Sequence, residues 1–169
     1  MADFEPVYVA TINNEGGYTL TNDKDDAGGM TYAGISRVFN PSWEGWALID
    51  RGEEVPTDMV RAFYRSEFWN PLNADLIQNQ QVAKSMYDFA VNTSPKVVVL
   101  LVQGICGAVA DGRIGPKTLA ALNALPPRLF HAEFGMAKVI RYSESVDRRP
   151  VNKKYLHGWI KRVIKEYRS

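Results

Sequence analysis

The sequence predicts an all-α protein of six to eight helices packed around a central apolar helix. Apolar residues recur at helical spacing through most of the chain, as at Phe4, Tyr8 and Ile12. The segment PKVVVLLVQGICGA, which starts at Pro95, is apolar on nearly every side and predicts the central buried helix. The chain has no second apolar run to pair with it as a strand, so we expect at most a small hairpin or irregular loop near residues 17–34.

The individual helices follow from caps, breakers and apolar stripes. The first is expected to begin after Asp3, whose side chain can cap it, and to end at Gly16-Gly17. Amphipathic patterns predict the later helices, with Pro126-Pro127 as a break before the last two. These predicted segments cover residues 56–69, 81–92, 95–108, 116–125, 128–146 and 151–168.

Composition places the chain among ordinary globular proteins. Its 169 residues are 46% hydrophobic and 23% charged, which fits one domain or two small halves. The single cysteine, Cys106, excludes an internal disulfide and is expected to be a small buried residue. With only two histidines beside it, a zinc site is not expected, and we predict no metal and no cofactor.

Charge is distributed unevenly along the chain. Residues 1–127 carry 9 Lys/Arg against 15 Asp/Glu, whereas residues 128–169 carry 11 against 4. The basic third is suited to an anionic partner such as nucleic acid, lipid headgroups or cell wall, or it is the solvated face of two terminal helices. The first twenty residues hold three acids and no lysine or arginine, so we expect no signal peptide and synthesis in the cytoplasm.

Glu15 stands where the first helix should end, directly before a glycine pair. The negative end of the helix macrodipole destabilises an ionised carboxylate there, and Tyr18 and Tyr32 are expected to desolvate it further. Both effects would raise the pKa of Glu15 and keep it protonated near neutral pH, as a general acid requires. The position is therefore one argument for a catalytic glutamate, with a structural role as the alternative.

An acidic run and a threonine follow Glu15. Glycosidic-bond hydrolysis pairs a protonated acid with a second group that positions water or stabilises the oxocarbenium ion. Asp23, Asp25 and Asp26 lie on a loop that can fold back, and Thr31 offers a neutral hydroxyl. The run also fits a solvated turn, whereas an EF-hand is disfavoured because Ala27 and Gly34 occupy ligand positions.

Four ordered motifs carry a family resemblance that extends from about Tyr8 to Trp159. EGGY followed by NDKDDAGGMTYAGIS resembles the signature of glycoside hydrolase family 108, which comprises lysozyme-like N-acetylmuramidases of phage endolysins and of protein export. The segments FYRSEFWNPLNAD and MYDFAVNTSP are similar to further parts of that family. ADGRIGPKTLAAL is similar to peptidoglycan-binding modules. The family usually has proline where this chain has Lys24.

The resemblance implies a lysozyme-like fold and a set of site residues. Glu15 would be the catalytic acid, supported by Asp25 and Thr31, with Tyr18 and Tyr32 as substrate contacts. On the opposite wall, Tyr87 and Asn92 would contact the sugar, although core packing and a helix C-cap are equal alternatives for them. Asp111 and Gly112 are expected to form a tight turn before the helix at Gly115-Pro116 rather than a ligand site.

The implied activity is an N-acetylmuramidase that cuts peptidoglycan between N-acetylmuramic acid and N-acetylglucosamine. A lytic transglycosylase and an inactive wall-binding or secretion-accessory module are the alternatives. Residues 1–93 would be the catalytic region and residues 94–169 the peptidoglycan-binding region, with one shared core. The expected partner is the glycan strand, not nucleic acid. A chain that does not span the membrane would reach the periplasmic wall through a holin or a secretion apparatus.

Overall fold

The computed structural model describes residues 1–22 and 29–168, and within them it confirms the all-α prediction. Eight α-helices accompany one small antiparallel sheet in this part of the chain. The elements are α1 Phe4–Asn14, β1 Leu20–Asn22, β2 Met30–Tyr32, β3 Ile35–Ser36, α2 Gly45–Asp50, α3 Thr57–Tyr64, α4 Gln80–Asn92, α5 Pro95–Ile105, α6 Pro116–Ala124, α7 Pro127–Arg148 and α8 Lys153–Arg168. A π-helical turn, Arg65–Trp69, and the 3-10 turns Asn70–Leu72, Ala74–Leu76 and Pro150–Asn152 complete them.

The chain divides into two compact units. One comprises Asp3–Asn70, and the other comprises Met1–Ala2 with Pro71–Ser169. Helix α4 lies in the second unit, where it packs against α5 and α7. The two units therefore divide before α4, whereas the regions expected from the sequence divide after α4, between residues 93 and 94. That residues 1–93 and 94–169 share one core stays a prediction.

Helix α1 begins and ends where the sequence predicts. The Asp3 carboxylate accepts a hydrogen bond from the backbone N–H of Glu5 at 3.1 Å, as an N-cap does. At the other end, the N–H of Gly17 donates to the carbonyl of Ile12 at 2.9 Å. Gly16 and Gly17 have φ values of +84° and +76°, which glycine adopts without a Cβ penalty. This Schellman-type ending fixes the position of Glu15 as the C-cap residue.

The small sheet is a three-stranded meander. Strand β2 pairs antiparallel with β1, where Thr31 is opposite Thr21, and with β3, where Thr31 is opposite Ser36. The third strand extends the sheet past Gly34, beyond the region in which the sequence predicted a hairpin. The N–H of Ala33 donates to the carbonyl of Thr19 at 3.2 Å, which ties the end of β2 to the segment that follows α1.

Aromatic side chains form the core of the first unit. The rings of Phe4 and Tyr8 stack at 5.4 Å, and Tyr64 lies 6.0 Å from Tyr8. Helix α2, which the sequence analysis did not predict, adds Trp46, whose indole N–H donates to the carbonyl of Asn40 at 2.8 Å. Helices α1 and α3 therefore pack through rings, and Trp43 connects α2 to α3, because its ring lies 5.2 Å from that of Trp46 and 6.1 Å from that of Phe63.

In the second unit, the apolar helix α5 is buried on one face. Val98, Val99 and Val102 are at most 2% exposed, whereas Leu100 is 37% exposed. Lysine 138 of α7 is also buried in this unit. Its ammonium group donates to the Ser85 hydroxyl at 3.0 Å and to the Glu166 carboxylate at 2.5 Å. These bonds join α4, α7 and α8.

Candidate active site

Glu15 is an exposed residue at the C-terminus of α1. Its backbone N–H completes the helix by donating to the carbonyl of Thr11 at 2.9 Å, and the last turn of α1 has no basic residue. The exposure removes the desolvation by Tyr18 and Tyr32 that the sequence argument expected. The helix end remains as the feature that disfavours the ionised carboxylate.

The Glu15 side chain lies against Gly34 in the turn between β2 and β3. A Cβ atom on Gly34 would be 2.8 Å from Oε2 of Glu15 and 2.6 Å from the Tyr64 hydroxyl oxygen. The Tyr64 hydroxyl donates to the carbonyl of Ala33 at 2.9 Å, and the residue is 2% exposed. Only glycine leaves room here for both the carboxylate and the phenol. Gly34 also has φ +78°, a second reason for glycine.

Thr31 lies in the middle of β2, three residues before Gly34. Its hydroxyl and that of the cross-strand residue Thr21 are 2.5 Å apart, so one donates to the other. This pair is on the surface of the sheet and open to solvent. The sheet thus connects the turn at Gly34, which contacts Glu15, to β2, where the Thr31 hydroxyl is paired with that of Thr21 on β1.

The two tyrosines predicted as substrate contacts are both in this unit. The Tyr18 hydroxyl is hydrogen-bonded to that of buried Tyr8 at 3.0 Å, while 40% of Tyr18 is exposed. The Tyr32 ring stacks on Trp43 at 6.1 Å. Burial, followed by the nearby charges of Glu54 and Tyr18, raises the pKa of the Tyr32 phenol. Tyr32 therefore remains a neutral hydrogen-bond donor at physiological pH.

The other two predicted contacts, Tyr87 and Asn92, belong to the second unit. Tyr87 is 0% exposed, as a core residue is, and its role as a substrate contact stays a prediction. Asn92 is exposed at the end of α4, where its amide donates to the carbonyl of Asp88 at 2.7 Å. A weaker bond joins it to Arg162 at 3.4 Å. Asn92 is the last residue of α4, directly before the C-cap residue Thr93, and its role as a sugar contact stays a prediction.

The acidic run lies outside the described residues. Asp25, together with Asp23 and Asp26, falls within residues 23–28, so its predicted role with Thr31 stays a prediction. Sequence reasoning also missed three residues around the site, namely Thr21, Gly34 and Tyr64. Two signals for them were present in the chain. Gly34 stands inside the quoted TYAGIS motif, and Tyr64 stands inside FYRSEFW.

The loop around Asp111 and Gly112 forms the predicted tight turn. Gln103, which is 0% exposed, donates to the Asp111 carboxylate at 2.7 Å and accepts from the N–H of Gly112 at 2.9 Å. The Asp111 carboxylate also accepts from the N–H of Arg113 at 2.9 Å. These hydrogen bonds stabilise the ionised carboxylate and lower the pKa of Asp111, and the bond from Gln103 has the largest effect. The carboxylate is thus engaged in holding its own turn.

Two family models match the chain side by side. The model of Glycosyl hydrolase 108 matches residues 8–93, and that of a Predicted Peptidoglycan domain matches residues 97–164. Among solved structures, the chain is similar to the structure of Brucella abortus SagA, with a TM-score of 0.76 and 24% identity over 96% of this chain and 90% of that chain. At this identity the likeness concerns the fold. No curated protein matches.

Proposed function

The chain belongs to the glycosyl hydrolase 108 family, and on that basis we propose that it is an N-acetylmuramidase. The reaction is hydrolysis of the β-1,4 bond between N-acetylmuramic acid and N-acetylglucosamine in peptidoglycan. Its family membership makes it a glycoside hydrolase, and the second matched domain supports peptidoglycan as the substrate. The observation that carries the proposal is the position of Glu15 at the end of α1, where it lies against Gly34 on the side that also faces the Tyr64 hydroxyl.

Glu15 serves as the general acid in this proposal. Its carboxyl group donates a proton to the glycosidic oxygen as the bond to the anomeric carbon breaks. The C-terminal end of α1 favours the protonated form, because an ionised carboxylate there faces the negative end of the helix dipole. Contact with Gly34 restricts the rotamers of the side chain, so the acid is held in place, while the residue as a whole is exposed.

Thr31 serves on the water side of the reaction. The hydroxyl pair of Thr21 and Thr31 offers both a donor and acceptor lone pairs to one water molecule. We assign the second carboxylate to Asp25, which would accept a proton from the attacking water or stabilise the positive charge on the sugar ring. One water is consumed, and each reaction leaves one new reducing end and one free hydroxyl group.

Tyr18 and Tyr32 are the proposed sugar contacts. Tyr18 is anchored through its hydroxyl to Tyr8, so its exposed ring is presented at little cost in conformational entropy. Tyr32 is supported by Trp43 and can donate a hydrogen bond from its neutral phenol. Delivery to the periplasmic wall would depend on a holin or secretion apparatus, as the family resemblance implies.

Mass spectrometry of digested sacculi tests the reaction. Borohydride reduction of the products should give muropeptides that end in reduced N-acetylmuramic acid, and the Glu15→Gln protein should give none. Products lighter by one water, with 1,6-anhydro ends that resist reduction, would make the protein a lytic transglycosylase. Reduced N-acetylglucosamine ends would identify a different bond, and intact sacculi after treatment with folded wild-type protein would contradict an enzymatic role.

A further inference from the structure

Helix α8 has a polar face on which every exposed charged side chain that the structure describes is positive. Residues 153–168 contain six Lys/Arg and a single acid, Glu166. Lys153, Lys154, Lys161, Arg162 and Lys165 are all exposed. Such uniformity differs from an ordinary solvated helix, in which charges of both signs alternate.

The single acid is directed inward. Glu166 accepts a hydrogen bond from Lys138, which is 2% exposed, and another from the Ser85 hydroxyl at 2.9 Å. On the same side of α8, Trp159 stacks on Tyr142 of α7 at 4.9 Å. The negative charge of the helix is thus paired internally, and the packing against α7 determines which face is turned outward.

The outward face combines a basic stripe with apolar edges. Lys154, Lys161 and Lys165 recur at intervals of seven and four, which places them on one line along the helix. Ile164 and Tyr167 follow Lys161 at steps of three residues, along the edge where the basic stripe meets the face packed against α7, and are 44% and 50% exposed. These five residues are called the basic-apolar face below.

We propose that the basic-apolar face of α8 docks the protein on a membrane surface rich in anionic phospholipid headgroups. The cations attract the headgroups, and Ile164 and Tyr167 enter the boundary between headgroups and acyl chains. A polyanion such as nucleic acid would use the lysines but leave the apolar line exposed to water. The combination therefore favours lipid.

Docking would be peripheral. Within residues 1–22 and 29–168, no helix has the length and hydropathy to cross a bilayer. Helix α8 has 16 residues and therefore a length of about 24 Å, enough to lie along a membrane surface. Binding should weaken with salt, because the attraction of exposed charges is screened.

Vesicle sedimentation of the full-length protein tests the proposal. At low salt the protein should sediment with vesicles of phosphatidylcholine and phosphatidylglycerol, and not with phosphatidylcholine alone. The Lys161→Gln/Lys165→Gln variant should bind the anionic vesicles about 30-fold more weakly. A matched control, Lys96→Gln/Lys117→Gln, removes the same charge from exposed positions on α5 and α6 and should bind like the wild type.

A second variant separates lipid from other polyanions. Ile164→Ser/Tyr167→Ser keeps every lysine, so it should lose about 10-fold in vesicle binding without changing binding to duplex DNA. Glu15→Gln should sediment with vesicles like the wild type, so this result does not depend on the proposed reaction. Equal binding to neutral vesicles, equal loss in the matched control, or binding to DNA or sacculi but not to vesicles would overturn the proposal.

Discussion

Gly34 illustrates, at the scale of a single residue, how the fold positions the candidate acid. An added Cβ would be 2.6 to 2.9 Å from atoms of Tyr64 and Glu15, distances that non-bonded atoms do not tolerate. Gly34→Ala should therefore displace the Glu15 carboxylate and reduce lytic activity by about 10-fold or more, since small displacements of reacting groups are costly. It should also lower the free energy of unfolding by about 1–3 kcal/mol.

The control for this prediction is Gly52→Ala. Gly52 lies in the same unit with φ +70°, but nothing lies within 4 Å of its added Cβ. Gly52→Ala should lower the free energy of unfolding through backbone strain but leave the lytic rate unchanged. Equal lytic rates for the two variants, measured alongside thermal melts, would mean that contact with Gly34 does not position Glu15.

Thr31 provides a second prediction at this scale. Thr31→Ala removes the hydroxyl paired with Thr21 and should lower kcat about 10-fold with a smaller change in KM, because water positioning matters mainly in the transition state. Thr31→Ser keeps the hydroxyl and should retain most activity. Asp25→Asn should resemble Thr31→Ala. If Asp26→Asn were the crippling change and Asp25→Asn the mild one, the assignment within the acidic run would be wrong.

At the scale of secondary-structure elements, α4 supplies contacts that a fragment of the second unit needs in order to fold. The Phe89 ring packs edge-on against Phe134 at 5.8 Å and Tyr142 at 5.9 Å, and Ser85 binds the buried Lys138 ammonium. A fragment that starts at residue 94 loses these contacts and leaves a buried charge with fewer partners, which is strongly destabilising.

We therefore expect residues 94–169 to aggregate and residues 71–169 to be soluble with a cooperative thermal transition. Circular dichroism melts and gel filtration of the two purified fragments would check this. A cooperative transition in the shorter fragment would show that α4 is dispensable for the second unit.

Across the whole molecule, local signals predicted most of the fold. Asp3 and the Gly16-Gly17 pair marked the ends of α1, because caps and positive φ angles act over a few residues. Helix α2 was missed because its six residues have no capping side chain and start at a glycine. A short helix of this kind depends on tertiary contacts, such as the burial of Trp46, which is 2% exposed.

Only part of the candidate site could be predicted, because here too the sequence reveals local signals and not tertiary contacts. Glu15 could be found because its signal, a glutamate at a helix end, is local. Its neighbours Gly34 and Tyr64 are distant in sequence, and only the fold brings them together. The burial of Tyr87 was equally invisible, since a tyrosine on an apolar helix face suits both a core and a cleft.

The measurement that tests the central claim most directly is the rate at which Glu15→Gln clears a suspension of permeabilised cells. The substitution keeps the shape of the side chain and removes its titratable proton, so the rate should fall at least about 100-fold below that of the wild type. Stability should be unchanged or slightly higher, because an anion leaves the C-terminus of α1. Lysis at nearly the wild-type rate, with matching circular dichroism, would show that Glu15 is not the catalytic acid.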